Sequence, residues 1–251
     1  MFNLVKYELK GYYKDFIIIL GAIAALNILL FTRINTWPEG SITVLSLLIS
    51  FAAAVIVFIW NIRLFSRDLY EDSGYLLFSL PQSGYSILGA KLITSIVQGL
   101  IVWAVAFLFN YISIQGHSSF SINLGLIMRN ISPKFITESI LSSLFEYVYF
   151  LTTIYFSIAL SKVAIKKKKV GKLGGFIIFI IISIIVAKIT QIVIGIFPQT
   201  FNLNILTAQS QLSMYGAHVI PVNIAAMILN VILFVLMFIA TAYILENKID
   251  F

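Results

Sequence analysis

Long apolar runs separated by short polar stretches set the pattern of this chain. A helix needs roughly 20 apolar residues to cross the ~30 Å hydrocarbon core of a bilayer. Six runs meet or approach that length, over residues 16–31, 42–62, 92–114, 135–160, 173–197 and 222–245. The first is the shortest; it carries Asn27 and is bounded by Asp15 and Arg33. A removable signal segment competes for this run, because Ala22-Ile23-Ala24 resembles a small-residue cleavage site; here it is taken as a retained span. The pattern predicts an all-α polytopic membrane protein, one transmembrane domain over 1–251 with six transmembrane helices between 16 and 245.

Two connecting pieces have patterns of their own. In residues 1–15 and just beyond, Phe2, Val5, Leu9, Tyr12, Tyr13 and Phe16 recur at three- and four-residue steps, and Lys6, Lys10 and Lys14 form a separate row. That predicts an amphipathic interfacial helix, apolar face in the acyl boundary and lysines toward the phosphates of anionic lipids. The alternative is an ordinary positive flank that sets orientation, and Gly11 weakens the helix. The stretch 198–221 has no Lys, Arg, Asp or Glu, yet it holds Phe201, Leu203, Ile205, Leu206, Leu212, Met214 and Tyr215. A solvated loop is normally more polar, so a re-entrant helical hairpin before the sixth span is expected. Irregular backbone at that depth is tolerated only against protein or a wet cavity.

Composition narrows the class. Hydrophobic residues make up 60% and charged residues 11%, with a mean hydropathy of +1.01, against about 45–50% and about 25% in soluble domains. So few charges will not cover a water-soluble globule, which argues against a soluble enzyme, a nucleic-acid binder and a disordered chain. The net charge of +7 instead fits lysine-rich cytoplasmic loops. Of the 17 basic residues, thirteen fall at the two ends and in the second–third and fourth–fifth linkers, including the run Lys166, Lys167, Lys168 and Lys169. Only Arg33, Arg129 and Lys134 fall in the alternate connections. The split places both termini in the cytoplasm, and the lysine run is expected to face lipid. There are no cysteines, and His117 and His218 lie in outer connections without a second ligand at metal spacing, so no metal site is expected.

The stretch after the second span carries the most chemistry. Arg67, Asp68, Glu71 and Asp72 end a helix; Gly74, Tyr75, Leu76, Leu77, Phe78 and Leu80 then give a short apolar piece closed by Pro81. Large apolar side chains outside any span need covering, and a small helix docked in a partner's groove supplies that. Glu71, Gly74, Tyr75, Leu77, Leu80, Pro81, Gly89 and Lys91 resemble the membrane subunits of type-two ATP-binding-cassette (ABC) exporters, departing at Gln82-Ser83-Gly84 where relatives often carry an arginine. The layout of interfacial helix, six spans, coupling helix over 63–91 and re-entrant segment is also similar. Among such permeases the chain looks closest in length to those of the phenol-soluble-modulin and antimicrobial-peptide exporter group. The resemblance implies a bacterial plasma-membrane permease that dimerises and binds a cytoplasmic ABC ATPase. ATP and magnesium would sit on that partner, and the cargo would be an amphipathic peptide or other hydrophobic substrate. The chain itself offers no phosphate-cradling loop: Gly84, Gly89 and Lys91 come nearest to the pattern, with one residue too many, no hydroxyl after the lysine and no preceding strand. No catalytic residue is expected here.

Three charges fall inside predicted spans: Glu138, Glu146 and Lys188. Such charges are costly in hydrocarbon and normally pair or face water. Glu138 is expected at the outer interface. Glu146 and Lys188 fall at similar depth and are expected either to form an ion pair or to line the outer part of a pathway. Two other readings compete with a permease: a secondary transporter or channel needing no ATPase, for which no internal repeat is evident, and an intramembrane enzyme, for which no metal set or nucleophile–base pair is present.

Overall fold

The computed structural model describes residues 2–34, 36–38, 40–70, 82–115, 130–164, 168–205 and 219–247, with side chains at 168–172 outside the description. In chain order the elements are α1 (Phe2–Phe31), α2 (Ser41–Tyr70), α3 (Gly84–Gln115), α4 (Pro133–Ala164), α5 (Lys168–Ile196), β1 (Thr200–Asn204), β2 (Val219–Asn223) and α6 (Ile224–Asn247). All six helices are long and apolar enough to cross a membrane, so the all-α polytopic architecture holds. Most are longer than the apolar run that predicted them. A 30-residue helix such as α1 or α2 measures about 45 Å and extends past a ~30 Å core.

The interfacial helix expected over 1–15 is not a separate element. Helix α1 runs unbroken from Phe2 to Phe31. Gly11 has no proline beside it and disfavours the helix by only about 1 kcal/mol, which side-chain contacts on either side of it offset. Tyr12 meets Trp60 edge-on at 6.4 Å, and Glu8 is paired with Lys91.

By its contacts the chain forms two compact units, Met1–Leu64 with Gly89–Asn123, and Phe65–Leu88 with Leu124–Phe251. In the first, Ile23 of α1, Ala53 and Val57 of α2 and Val102 of α3 form a buried core flanked by Phe16, Leu20, Ile49 and Phe109. Between apolar helices in lipid, small polar side chains act as glue, and they do so here at several levels. The Ser46 hydroxyl donates to Asn27 Oδ1 at 2.7 Å. The Asn110 amide donates to Ser50 Oγ at 2.8 Å, and the Ser95 hydroxyl lies 2.8 Å from Asn61 Oδ1. These pairs run α1 antiparallel to α2, and α2 antiparallel to α3.

In the second unit, α4 is the element on which the others pack. It meets α5 through Phe150 on Phe179, edge to face at 5.5 Å, and where Gly175 lies against Ile158. It meets α6 through Phe145 on Phe234 at 5.8 Å and Thr153 on Met237 Sδ at 3.5 Å. The two strands pair antiparallel from Thr200↔Asn223 to Asn204↔Val219. Where a helical hairpin was expected, residues 200–204 and 219–223 are therefore a β-ribbon, while 206–218 lie outside the described residues. The physical reason lies in period two: Phe201 and Leu203 alternate with Asn202 and Asn204, and burial alternates with them. Asn223 links ribbon to helix, its Oδ1 accepting from Ala226 N at 2.9 Å as the N-cap of α6 while its amide donates to the Phe197 carbonyl at 2.8 Å.

Candidate functional site

The charged and apolar stretch singled out in the sequence between the second and third spans begins at Glu71, directly after α2 ends, and closes at Pro81, three residues before α3 starts. Glu71, Asp72, Gly74, Tyr75, Leu76, Leu77, Phe78, Leu80 and Pro81 lie outside the described residues. The residues that flank it, the last turns of α2 and the first of α3, are described, and each is fastened within the second unit.

The first fastening uses the last turns of α2. Phe65 is fully buried and stacks on Tyr155 of α4, with ring centroids 4.1 Å apart and an interplanar angle of 17°. Tyr70, the last residue of α2, is buried; its hydroxyl donates to the Ile158 carbonyl at 3.4 Å, and Lys162 Nζ stands 5.2 Å from its ring centroid. One aromatic thus caps α2 and receives a cation from the final turns of α4, a contact worth about 0.5–2 kcal/mol according to its exposure. Asp68 lies beside this cap, 3.9 Å from Arg67, with its side chain 14% exposed.

The second fastening uses the first residue of α3. A Cβ at Gly84 would collide with the backbone carbonyl of Ala242 in α6. Glycine is what permits the two backbones to touch. The Gly84 N–H donates to Glu246 Oε2 at 3.2 Å, so the carboxylate of α6 satisfies one of the four N–H groups that a helix start leaves unpaired. Tyr85 adds a ring contact to Phe238 at 6.2 Å. The chain is consequently held by α4 just before residues 71–81 and by α6 just after them.

The first unit holds a separate polar cluster. Lys91 Nζ donates to Glu8 Oε1 at 2.8 Å, and the two side chains are only 7% and 19% exposed. One turn further along α3, Ser95 Oγ lies 2.9 Å from the Lys91 carbonyl and bridges to Asn61 of α2. Lys91, read in the sequence as part of the motif that opens the third span, is therefore a buried ion-pair partner of α1.

The charges predicted inside spans separate. Glu138 is partly buried, within 3.8 Å of Lys134 one turn earlier. Glu146 and Lys188 are both exposed, and no ion pair joins them. The packing explains why. The contacts Phe150–Phe179 and Gly175–Ile158 put the two charges within about one turn in depth. Lys188, however, stands nine residues and so about 180° around α5 from Phe179, the residue that faces α4. Lys188 points away from the helix that carries Glu146. Lys6, Lys10 and Lys14 are exposed along α1. Lys166 and Lys167 lie outside the described residues; Lys168 and Lys169 open α5, without a description of their side chains.

Several of these contacting residues were not picked out in the sequence. Gly84 lay in the stretch that departs from the exporter pattern, and Tyr70, Glu8 and Glu246 carried no motif. Glu8 alone left a signal, as an acid set between Lys6 and Lys10 in the lysine row of α1. No protein-family model, curated protein or solved structure matches the chain.

Proposed function

We propose that the chain is the permease subunit of an ATP-driven exporter of the type-two ABC class. In this reading it moves an amphipathic or hydrophobic substrate, a peptide toxin or antimicrobial peptide, out of a bacterial cell. ATP is hydrolysed on a separate cytoplasmic cassette subunit that grips the piece 71–83, and a second permease copy completes the pathway. Both termini are cytoplasmic, which leaves the exposed Lys6, Lys10 and Lys14 row free to meet anionic lipid at the inner leaflet.

The observation that supports this reading best is the double fastening of the apolar piece. A handle pulled by a motor transmits force only if its ends are rigidly joined to the helices that must move. Tyr70 on α4 and Gly84 on α6 supply joints of that kind, on either side of residues whose sequence resembles the exporters' coupling helix. A loop that merely connected two spans would need neither.

The test replaces apolar residues of the handle, Leu77→Asp and Phe78→Asp, in the chain co-expressed with its candidate cassette ATPase. Both positions lie outside the six spans, so the fold should persist, and a thermal scan checks that. The expected result is loss of co-purification and of substrate-stimulated hydrolysis. Full co-purification with undiminished stimulation overturns the proposed function.

A further inference from the structure

The outer half of α4 is unusually polar for a spanning helix. Around its axis, at about 100° per residue, Phe145 and Phe150 stand about 140° apart; the first packs on α6 and the second on α5. Ser139, Ser142, Glu146 and Tyr149 fall in the arc between them, with Ser143 just beyond. The other arc carries Ile140, Leu141, Leu144 and Val148. Although flanked by these two helix contacts, Ser142, Ser143 and Glu146 are exposed, so α5 and α6 leave this side of α4 uncovered.

The hydroxyls are satisfied within their own helix: Ser142 donates to the Glu138 carbonyl and Ser143 to the Ser139 carbonyl, each at 2.8 Å. Glu146 has no such outlet, and no described residue forms an ion pair with it. It lies eleven residues, about 16 Å, inside the start of the apolar run at residue 135, too deep to reach a headgroup region. An ionised carboxylate does not face hydrocarbon at that depth without a large penalty; it faces water or a cation. Lys188, the basic residue nearest in depth, points away.

We propose that this arc of α4 is a water-lined face in which Glu146 receives a cationic group of the substrate, while the neighbouring Phe145, Tyr149 and Phe150 meet its apolar side. The substrate class is then a cationic amphipathic peptide. The proposal builds on the export reading for its direction, but its test needs no ATPase, so the two fail separately.

The chain has no cysteines, so single cysteines report without background. Ser142→Cys, Ser143→Cys and Glu146→Cys, with Leu141→Cys as the lipid-facing control, are placed in the full chain in lipid nanodiscs. They are treated with a charged, water-soluble thiosulfonate, which reacts with the thiolate. A thiol held in hydrocarbon stays protonated, so the first three should react at least about tenfold faster than the control. A synthetic amphipathic helical peptide with lysines on its polar face should protect Ser142→Cys and Ser143→Cys, which keep Glu146, and its glutamate-for-lysine counterpart should not. In the Ser143→Cys background, Glu146→Gln should raise the peptide concentration for half-protection by about tenfold. Slow labelling at all positions overturns the water-lined face. Equal protection by both peptides, or none by either, overturns the substrate class. Cysteines at 142 and 146 that form inter-chain disulfides in place of labelling assign the face to a second copy, which also overturns the proposal.

Discussion

The Glu8–Lys91 pair lends itself to a quantitative test. Its heavy atoms are 2.8 Å apart and both side chains are largely buried. At an effective dielectric of 20 the Coulomb attraction at that distance is about 6 kcal/mol, much of it offset by the desolvation of both ions. Removing one partner keeps the desolvation and forfeits the attraction, which for buried pairs destabilises by about 3–5 kcal/mol. Glu8→Gln and Lys91→Met should therefore each destabilise the first unit by about that much. The double variant should cost much less than the sum of the two, with a coupling of about 2–3 kcal/mol. The assay is built into the chain. All three tryptophans, Trp37, Trp60 and Trp103, lie in the first unit, and Trp60 is in contact with Tyr12 of α1. A thermal scan of intrinsic fluorescence in detergent reads this unit. At about 2–4 °C per kcal/mol for a chain of this size, each single variant should lower the midpoint by roughly 6–20 °C and the double variant by clearly less than the sum. Single variants within 1 °C of the parent, or strictly additive effects, would refute the claim that a buried ion pair holds α1 to α3.

Two further outcomes follow from contacts in the second unit. Gly84→Ala puts a methyl group into the Ala242 carbonyl; overpacking of this kind destabilises by about 1–3 kcal/mol. A thermal scan by far-ultraviolet circular dichroism should show the midpoint of Gly84→Ala lowered by about 2–12 °C, and an unchanged midpoint would show that the backbones do not meet there. Asn223→Ala removes the N-cap of α6 and should destabilise by about 1 kcal/mol, seen as faster hydrogen exchange at the first turn of α6, whereas Asn223→Asp, which keeps the capping oxygen but loses the amide bond to Phe197, should exchange at a rate between the two.

What the sequence made legible follows from the range of each interaction. The six spans were visible because each is a local run of apolar residues whose length the bilayer dictates. The continuity of α1 was not: Lys6, Lys10 and Lys14 obey the same periodicity in a surface helix as in a helix that runs on into a span, and what joins the two halves is Glu8 meeting a lysine 83 positions away. The ribbon at 200–204 was visible in principle, because Phe201, Leu203 and Ile205 alternate with asparagines; the absence of charge is equally compatible with a helical hairpin. Gly84 carried no local sign of its role, since a close approach to Ala242 is set by two segments more than 150 residues apart. Glu146 and Lys188 matched in depth by residue counting, and packing set them on different sides. Depth follows from helix rise along one chain, but facing requires knowing which residue, here Phe179, meets the neighbour.

The two proposed sites share one element, and that limits how they can act together. Helix α4 is buried along its second half, where Leu151, Thr152, Tyr155, Ser157 and Ile158 are enclosed, and open along its first half, where Glu146 lies. From Ile158, which accepts from Tyr70, to Glu146 is twelve residues, or about 18 Å of uninterrupted helix. Over that length a helix moves as a rigid rod, so a pull on the handle at Tyr70 shifts Glu146 without any rearrangement of side chains between them. In the proposed coupling, the other end of the handle would act through Gly84 on α6, whose Phe234 flanks the same arc. A handle joined to α4 alone would move Glu146 together with its substrate; one joined to both α4 and α6 can change the spacing between them, which is what opening or closing the uncovered arc requires. The Gly84–Ala242 contact is therefore the joint at which coupling should be lost while the fold and the handle's own surface remain.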